Sequence, residues 1–338
     1  MSDAPTDPSP PAERGPRRGV VIPAALVDRS RIIEDLSLLA GVGVHEVTLG
    51  LDWSWLQPKP GGLHGEAVEF HLGAARAARD LGLDLRFTLL ERARPTWFDN
   101  DGGFTDARHA LHFWPRWVEA CAEAFGDAVG GWVPIEHPLG LANSIVPDDP
   151  RRHGDVLDVL VTAWRDAWRI LQGGPPIISA FGVEVVRPAD QTIQAAEAAR
   201  RQDQIRWRLW LEGLRDGIAR IPGRADREVA DLAGSVDVVG VIIRHEADVL
   251  GLLHRAAEQT LERPIAVTLL LPAGKDADRE LVIERYLAGT TEAAAGMPLV
   301  SIAVSPVFDP TDLVDPRHAR GILTRDRELK DSARRFLG

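Results

Sequence analysis

Short apolar runs alternate along the chain with longer segments whose apolar positions recur every three to four residues. This alternation begins at residue 19 and is typical of a parallel sheet covered by helices. The runs that we predict as strands are Gly19–Ala25, Val47–Trp53, Leu83–Leu90, Gly131–Ile135, Ile177–Val183, Val236–Ile243, Pro264–Leu271 and Leu299–Ser305. The helical segments lie near Ile32–Ala40, Ala67–Leu81, Ala107–Phe125, Val156–Leu171, Asp190–Ile221, Ala247–Thr260, Arg279–Ala294 and Asp331–Leu337.

Eight strands that are each followed by a helix predict an α/β fold, a single (β/α)8 TIM barrel over residues 19–338. A doubly wound open sheet is the alternative. It lacks support because no Gly-X-Gly-X-X-Gly sequence follows the first strand. Residues 1–18 are rich in Pro, Ser and charge, and we predict a disordered tail there that is neither a signal peptide nor a membrane span.

Composition limits the classes of molecule that the protein is expected to bind. The 338 residues carry a net charge of −11, which disfavours binding to nucleic acid or to an anionic membrane surface. The single cysteine, Cys121, excludes an intramolecular disulfide and fits a cytoplasmic protein. The Arg-rich, Lys-poor composition is typical of a GC-rich bacterial genome, and a role in specialised metabolism is consistent with it. We therefore expect a small-molecule ligand, with no sign of a cofactor or metal and no indication of the oligomeric state.

In a barrel the functional side chains lie where the strands run into the loops at their carboxyl ends. Those ends carry Asp52, Trp53, Glu91, Arg92, Glu136, His137, Glu184, Arg244, His245 and Glu246, whereas the seventh strand ends in leucines only. Like charges and partial burial at one mouth shift protonation equilibria and make acid–base chemistry feasible.

The candidate catalytic residues are Glu136, His137 and Glu91. The two glutamates end neighbouring strands, which lie about 4.8 Å apart, so their carboxyl groups are expected to be about 5 to 9 Å apart. One protonated and one ionised carboxyl group can run acid–base chemistry, and His137 titrates near neutral pH. The alternative for Glu91 is a structural ion pair with Arg92 or Arg94.

Other side chains at the same mouth are candidates for binding a substrate, because aromatic faces stack flat ligands and charged groups orient them. The candidates are Asp52, Trp53, Trp55, Arg92, Trp97, Arg244, His245 and Glu246. A metal site built from Glu136, His137, His245 and Glu246 is disfavoured because residues adjacent in sequence point in different directions.

Several spaced motifs resemble glycoside hydrolase family 1, the β-glucosidase family, over roughly residues 30 to 337. They are Leu51-Asp52-Trp53-Ser54-Trp55-Leu56-Gln57-Pro58, Phe87-Thr88-Leu89-Leu90, Pro95-Thr96-Trp97, Gly102-Gly103-Phe104 and the terminal Arg320-Gly321-Ile322-Leu323 to Phe336. The resemblance implies a TIM barrel and a retaining β-glycosidase, with an acid/base Glu after the fourth strand and a nucleophile Glu after the seventh.

The sequence departs from the family pattern at both catalytic places. His137 aligns with the acid/base position, Glu136 with the preceding Asn, and Leu269 with the nucleophile. Glu91 replaces a family His, and Arg244 falls in the family's Asn-Tyr-Tyr segment. A leucine can neither attack a sugar nor stabilise positive charge, so the resemblance does not carry the retaining mechanism over.

Three functions follow from these residues. The first is a repurposed barrel enzyme that uses Glu136, His137 and Glu91 for acid–base chemistry on a small, sugar-like or specialised-metabolite substrate. The second is a non-catalytic pseudoglycosidase that binds a small ligand or a partner. The third is an inverting glycoside hydrolase that uses Glu136 and Glu91.

Overall fold

The computed structural model describes residues 15–244, 248–260, 263–310 and 315–338. Its main sheet contains eight described strands, all paired in parallel, in the order β4-β3-β2-β1-β10-β9-β8-β5. They are β1 (Arg17–Ile22), β2 (Glu46–Gly50), β3 (Asp84–Thr88), β4 (Gly131–Val133), β5 (Phe181–Gly182), β8 (Val239–Arg244), β9 (Ile265–Leu270) and β10 (Leu299–Ser305). The strands β6 (Ile218–Ala219) and β7 (Arg227–Glu228) form a separate antiparallel pair.

Isolated bridges join the two outer strands of this order. Trp132 in β4 pairs in parallel with Ile177, and Glu136 just after β4 pairs in parallel with Ala180. Ile177 and Ala180 both precede β5. The backbone N–H of His137 donates to the carbonyl oxygen of Ala180 at 2.8 Å. The sheet therefore curls round on itself into an α/β barrel, and the doubly wound alternative is wrong.

Helices follow the strands, as the periodicity predicts. They are α1 (Ile32–Gly41), α2 (Trp53–Leu56), α3 (Gly65–Asp80), α4 (Thr96–Asn100), α5 (Ala107–Phe125), α6 (Pro138–Ile145), α7 (His153–Leu171), α8 (Ile193–Asp203), α9 (Leu209–Asp216), α10 (Val249–Gln259), α11 (Asp276–Ala294) and α12 (Asp331–Leu337). The helix predicted over residues 190–221 is divided, because a π-helical turn at residues 204–208 separates α8 from α9. In the described part of the chain, no helix is long and apolar enough to cross a membrane.

Side-chain oxygens fix where several helices begin. Asp106 accepts hydrogen bonds from the backbone N–H groups of Arg108 and His109, at 2.8 and 3.2 Å, at the start of α5. Asp52 does the same for α2 by accepting from the N–H of Trp55. These caps satisfy donors that have no partner within the helix. Because α2 begins directly after Asp52, β2 ends at Gly50 rather than at the predicted Trp53.

The first strand begins earlier than predicted. We predicted a disordered tail up to residue 18, but Arg17 and Arg18 belong to β1 and pair with Ser301 and Ile302 of β10. Two consecutive arginines do not look like part of a buried strand in the sequence. In the structure Nε of Arg17 lies 3.4 Å from the Glu46 carboxylate, and this ion pair compensates its charge. Residues 1–14 of the predicted tail lie outside the described residues.

The amino-terminal end of the barrel is closed by a charged network. Glu46 is 3% exposed. Its carboxylate lies 2.7 Å from Nη2 of Arg86 and 3.4 Å from Nε of Arg17, and it accepts a hydrogen bond from the Ser301 hydroxyl. Two arginines and a hydroxyl therefore compensate the desolvation of this carboxylate.

We expect Glu46→Ala to lower the free energy of unfolding by about 3 to 5 kcal/mol, because it leaves the largely buried Arg86 without its main partner. Urea-induced unfolding measures the loss. The matched control is Glu34→Ala, which removes the exposed Glu34–Arg31 pair and should cost less than about 1 kcal/mol. Equal losses in the two variants would contradict the role given to this network.

Candidate active site

Glu91 follows β3 and is buried, with 8% of its surface exposed. The backbone N–H of Ala24 donates to its Oε2 at 2.9 Å, and its Oε1 has no hydrogen-bond partner among the described residues. The carboxyl group lies against Gly50, where a β-carbon would overlap with Oε1. The predicted ion pair with Arg92 or Arg94 does not form. Arg92 is exposed, and Nε of Arg94 donates to Asp99 at 2.8 Å.

Glu136 lies beside this carboxyl group. Its backbone N–H donates to the carbonyl oxygen of Leu90 at 3.0 Å, so residue 136 is next to the end of β3. Its side chain lines a cavity of about 40 Å³ inside the barrel, together with Thr88, Ser179 and Ile242. A cavity of that size holds little more than water. Glu136 is half-buried, and this small cavity lies beside its side chain.

Burial raises the proton affinity of both carboxyl groups, and the Glu136 charge raises that of Glu91 further. Burial raises the pKa of Glu136 to about 7. Burial, followed by the nearby Glu136 charge, raises the pKa of Glu91 well above its usual range, and only the N–H of Ala24 acts appreciably against this. Because two buried like charges repel, the pair retains a proton near neutral pH. The sequence predicted the closeness of these two groups, and the structure brings them together.

His137 begins α6 in the left-handed backbone conformation, with φ of +44°. Its Nδ1 accepts a hydrogen bond from the N–H of Gly140 at 2.9 Å. Burial, followed by the Arg244 and Arg206 charges, lowers the pKa of His137. The imidazole is therefore neutral at pH 7, and the bond to Nδ1 leaves the proton on Nε2.

A second cavity, the mouth cavity, opens beside His137 and has a volume of about 140 Å³. Its charged lining consists of Glu184, which follows β5, Arg206 from the π-helical turn and Arg244 at the end of β8. Ile242 lines both this cavity and the interior cavity of Glu136, so the two spaces adjoin at this residue.

Asp52 and Trp55 lie at a third, more open cavity of about 530 Å³. Nη2 of Arg29 lies 2.9 Å from Oδ2 of Asp52, and its guanidinium stacks 3.6 Å above the Trp55 ring. His71 lines the same cavity, and burial lowers its pKa to about 4. Because Ala24 and Gly50 also line it, this cavity adjoins the backbone groups that pack on Glu91.

The substrate-binding role predicted for Trp53 does not fit its position. Trp53 is 1% exposed, stacks on Trp117 at 5.1 Å between ring centroids and packs against Phe98 and Trp114. The Asp52 cap turns the chain into α2 and directs this indole into the core. Trp97 is half-buried and donates its Nε1–H to the carbonyl oxygen of Gln57 at 2.9 Å, while Arg92 points to solvent.

His245 and Glu246 lie outside the described residues, so their predicted binding role stays a prediction. Their neighbour Arg244 is exposed and lines the mouth cavity. Among the residues that the structure describes, no group of three or more His, Cys, Asp or Glu side chains is arranged to hold a metal ion.

The leucines of β9 alternate in direction. Leu269, which we aligned with the family nucleophile, is 1% exposed and belongs to the hydrophobic core. Leu270 lines the mouth cavity and pairs with Arg244 of β8. The position of β9 that faces the mouth is therefore residue 270, one residue beyond the alignment.

Sequence reasoning missed two polar residues of the mouth cavity, Arg206 and Asn143. Both lie within or beside helical segments rather than at strand ends, so the barrel pattern gave no reason to select them. An Arg-rich stretch around residues 200–208 was the available signal, but a uniform helix does not indicate which arginine faces the mouth.

The comparisons with known proteins agree with this fold. No family model matches the chain. A coniferin β-glucosidase of Pinus contorta is 23% identical over 255 residues, 62% of this chain and 49% of that protein, so the chain spans about half the length of this curated relative. A family 1 β-glucosidase from Thermotoga maritima superimposes with a TM-score of 0.83 at 15% identity, over 96% of each chain.

A β-glucosidase from Exiguobacterium marinum gives a TM-score of 0.80 at 16% identity, over 92% of this chain and 86% of that one. At these identities the likeness establishes the fold alone. This chain therefore has the α/β barrel fold seen in family 1 β-glucosidases.

We expect Leu269→Glu to cost more than about 3 kcal/mol of unfolding free energy, because it buries an unpaired charge in the core. Leu270→Glu should cost no more than about 1 kcal/mol, since that side chain faces the mouth cavity and its arginines. Urea unfolding distinguishes the two variants. Similar losses would contradict the alternation in β9.

The free energy of unfolding should depend on pH because folding changes the pKa of Glu136. The unfolded chain releases this proton near pH 4.5, and the folded protein releases it near pH 7. The stabilisation is therefore full below pH 4.5 and is lost as the pH rises through about 7, by about 3 kcal/mol. Glu136→Gln should remove that fall in urea unfolding measured from pH 4.5 to 8. The exposed Glu119→Gln is the control, and an undiminished fall in Glu136→Gln would exclude this origin.

Proposed function

We propose that the protein is a divergent enzyme with a glycosidase-like barrel, in which Glu91 and Glu136 perform acid–base chemistry on a small substrate bound at the mouth. The fold likeness to β-glucosidases and the clustering of ionisable groups at the carboxyl ends of the strands support this. The whole barrel is proposed to be one (β/α)8 domain that begins with β1 at Arg17 and extends to residue 338.

The observation that carries the proposal is the pair of buried carboxyl groups. Glu91 and Glu136 follow adjacent strands, and both have raised pKa values. A pair that retains one proton near pH 7 offers a protonated acid and an ionised base at the same time. We assign the proton to Glu91, because its carboxyl group packs against Gly50 and the neighbouring Glu136 charge raises its pKa further.

In this proposal Glu136 is the base and its route to the substrate passes Ile242. The interior cavity beside Glu136 has room for water, and Ile242 lines both this cavity and the mouth cavity. His137 lines the mouth with a neutral imidazole that carries its proton on Nε2. We therefore assign to His137 hydrogen-bond donation to a substrate oxygen, rather than the acid/base role that its sequence position suggested.

We propose that the retaining mechanism of β-glucosidases is lost. That mechanism needs a nucleophilic carboxylate at the end of the seventh barrel strand, and this strand, β9, offers Leu269 in the core and Leu270 at the mouth. Neither side chain can form a covalent glycosyl intermediate. In the inverting alternative, Glu91 and Glu136 would hydrolyse a glycoside through an activated water, with inversion at the anomeric carbon.

We expect Glu136→Gln to lower kcat at least about 100-fold, since it removes the base but keeps the shape of the side chain. The assay is turnover of a panel of nitrophenyl β-glycosides at several pH values. It compares the wild type with Glu136→Gln, the double variant Glu91→Gln/Glu136→Gln and the control Glu119→Gln. Circular dichroism melting confirms that each variant is folded.

Turnover by the wild type and the control alone, with inverted product, supports the proposal in its hydrolytic form. Turnover retained by Glu136→Gln would overturn the role of Glu136. Panel compounds that raise the melting temperature equally in wild type and double variant, without being consumed, would instead support the non-catalytic pseudoglycosidase.

A further inference from the structure

The mouth cavity contains a charged triad that the proposed acid–base chemistry does not use. The carboxylate of Glu184 lies between two guanidinium groups. Nη1 of Arg206 forms an ion pair with Oε1, and Nε of Arg244 lies 3.5 Å from Oε2. The three residues come from separate elements, because Glu184 follows β5, Arg206 lies in the π-helical turn and Arg244 ends β8.

The charges of this triad do not balance. Among the residues that the structure describes, two guanidinium groups face one carboxylate, and His137, the remaining titratable group of the described lining, is neutral at pH 7. The cavity thus has a charge of about +1 in a chain whose net charge is −11. Burial, followed by the nearby Arg244 charge, lowers the pKa of Arg206, as expected where two cations lie close together.

Local backbone geometry places Arg206 at this position. A π-helical turn inserts an extra residue between α8 and α9, and such turns recur at functional sites because they redirect a side chain. Nε of Arg206 is buried without a hydrogen-bond partner among the described residues. The guanidinium therefore has an unused donor beside the one that it gives to Glu184.

We infer that the mouth cavity binds the anionic group of the substrate, a carboxylate or a phosphate, between Arg206 and Arg244, where the Glu184 carboxylate occupies the position that the ligand's oxyanion would take. This inference rests on the proposed function, since it names the substrate class of the same mouth. Guanidinium groups match the planar oxygens of both anions with paired hydrogen bonds.

The remaining lining fits a small anionic ligand. Leu139, Val183 and Leu270 provide an apolar wall, and Asn143 provides an amide beside it. The volume of about 140 Å³ accommodates an anionic group with a few attached atoms. The longer part of a substrate would extend toward His137 and Ile242, which connects the anion site to the interior cavity of Glu136.

The role of Glu184 gives this inference a specific test. If Glu184 competes with the ligand for the two arginines, Glu184→Gln should bind anions at least about tenfold more tightly than the wild type, because the competing charge is gone. Arg206→Gln and Arg244→Gln should each weaken binding by at least about tenfold. Arg255→Gln, an exposed arginine on α10, is the matched control and should bind as the wild type does.

Binding is measured by isothermal titration calorimetry at pH 7 and constant ionic strength, with inorganic phosphate, glucuronate and neutral glucose as probes. Binding of phosphate or glucuronate with the order Glu184→Gln, then wild type, then the two arginine variants supports the inference, and the preferred anion identifies its source. The inference is overturned if the two arginine variants bind the anions as tightly as the wild type, or if the wild type binds glucose more tightly than both anions.

The same titrations on Glu136→Gln separate this inference from the proposed function. Anion binding does not require the base, so Glu136→Gln should bind the anions as tightly as the wild type. Absence of anion binding, together with loss of glycoside turnover in Glu136→Gln, would refute the anion site and leave the proposed chemistry standing.

Discussion

The desolvation of two neighbouring carboxyl groups is the constraint on which the carboxyl end of the barrel depends. Glu91 and Glu136 meet where β3 and β4 end, and burial alone disfavours ionisation of both. Gly50 has no side chain where the Glu91 carboxyl group packs, and Ala24 supplies one N–H donor. One shared proton is the simplest way to satisfy both groups, and it is also what acid–base chemistry needs.

Buried carboxyl groups at the two ends of the barrel differ in whether cations lie beside them. At the amino-terminal end Glu46 is compensated by Arg86, Arg17 and the Ser301 hydroxyl, which makes it part of the scaffold. At the carboxyl-terminal end the cations Arg206 and Arg244 gather around Glu184 instead of around Glu91 and Glu136. We propose that this separation of charged and acid–base groups gives one mouth two chemically different parts, one for proton transfer and one for holding an anion.

The barrel could be predicted because its strands and helices have different hydrophobic periods, and closure follows from eight strand–helix repeats. The errors in the predicted strand boundaries arise where a local interaction outweighs the hydrophobic periodicity. The Asp52 cap starts a helix at Trp53, and ion pairing allows Arg17 to enter β1. The candidate pair Glu91 and Glu136 was found from strand ends alone, because adjacent parallel strands bring their ends together.

Finer features of the site depend on side-chain direction, which sequence does not fix here. A one-residue change of alignment decides whether Leu269 or Leu270 faces the mouth. The π-helical turn that selects Arg206 breaks a segment whose pattern indicates one continuous helix. The raised pKa values depend on burial by residues from distant parts of the chain, such as Ala24 and Gly50 against Glu91.

The central claim is that the buried carboxyl pair keeps one proton at neutral pH. Infrared spectroscopy at pH 7 tests it directly, because only a protonated carboxyl group shows the C=O stretch of a carboxylic acid. The account predicts such a band in the wild type and in Glu119→Gln, and its absence in the double variant Glu91→Gln/Glu136→Gln. A wild-type spectrum identical to that of the double variant in this region would mean that both carboxyl groups are ionised, and it would contradict the account.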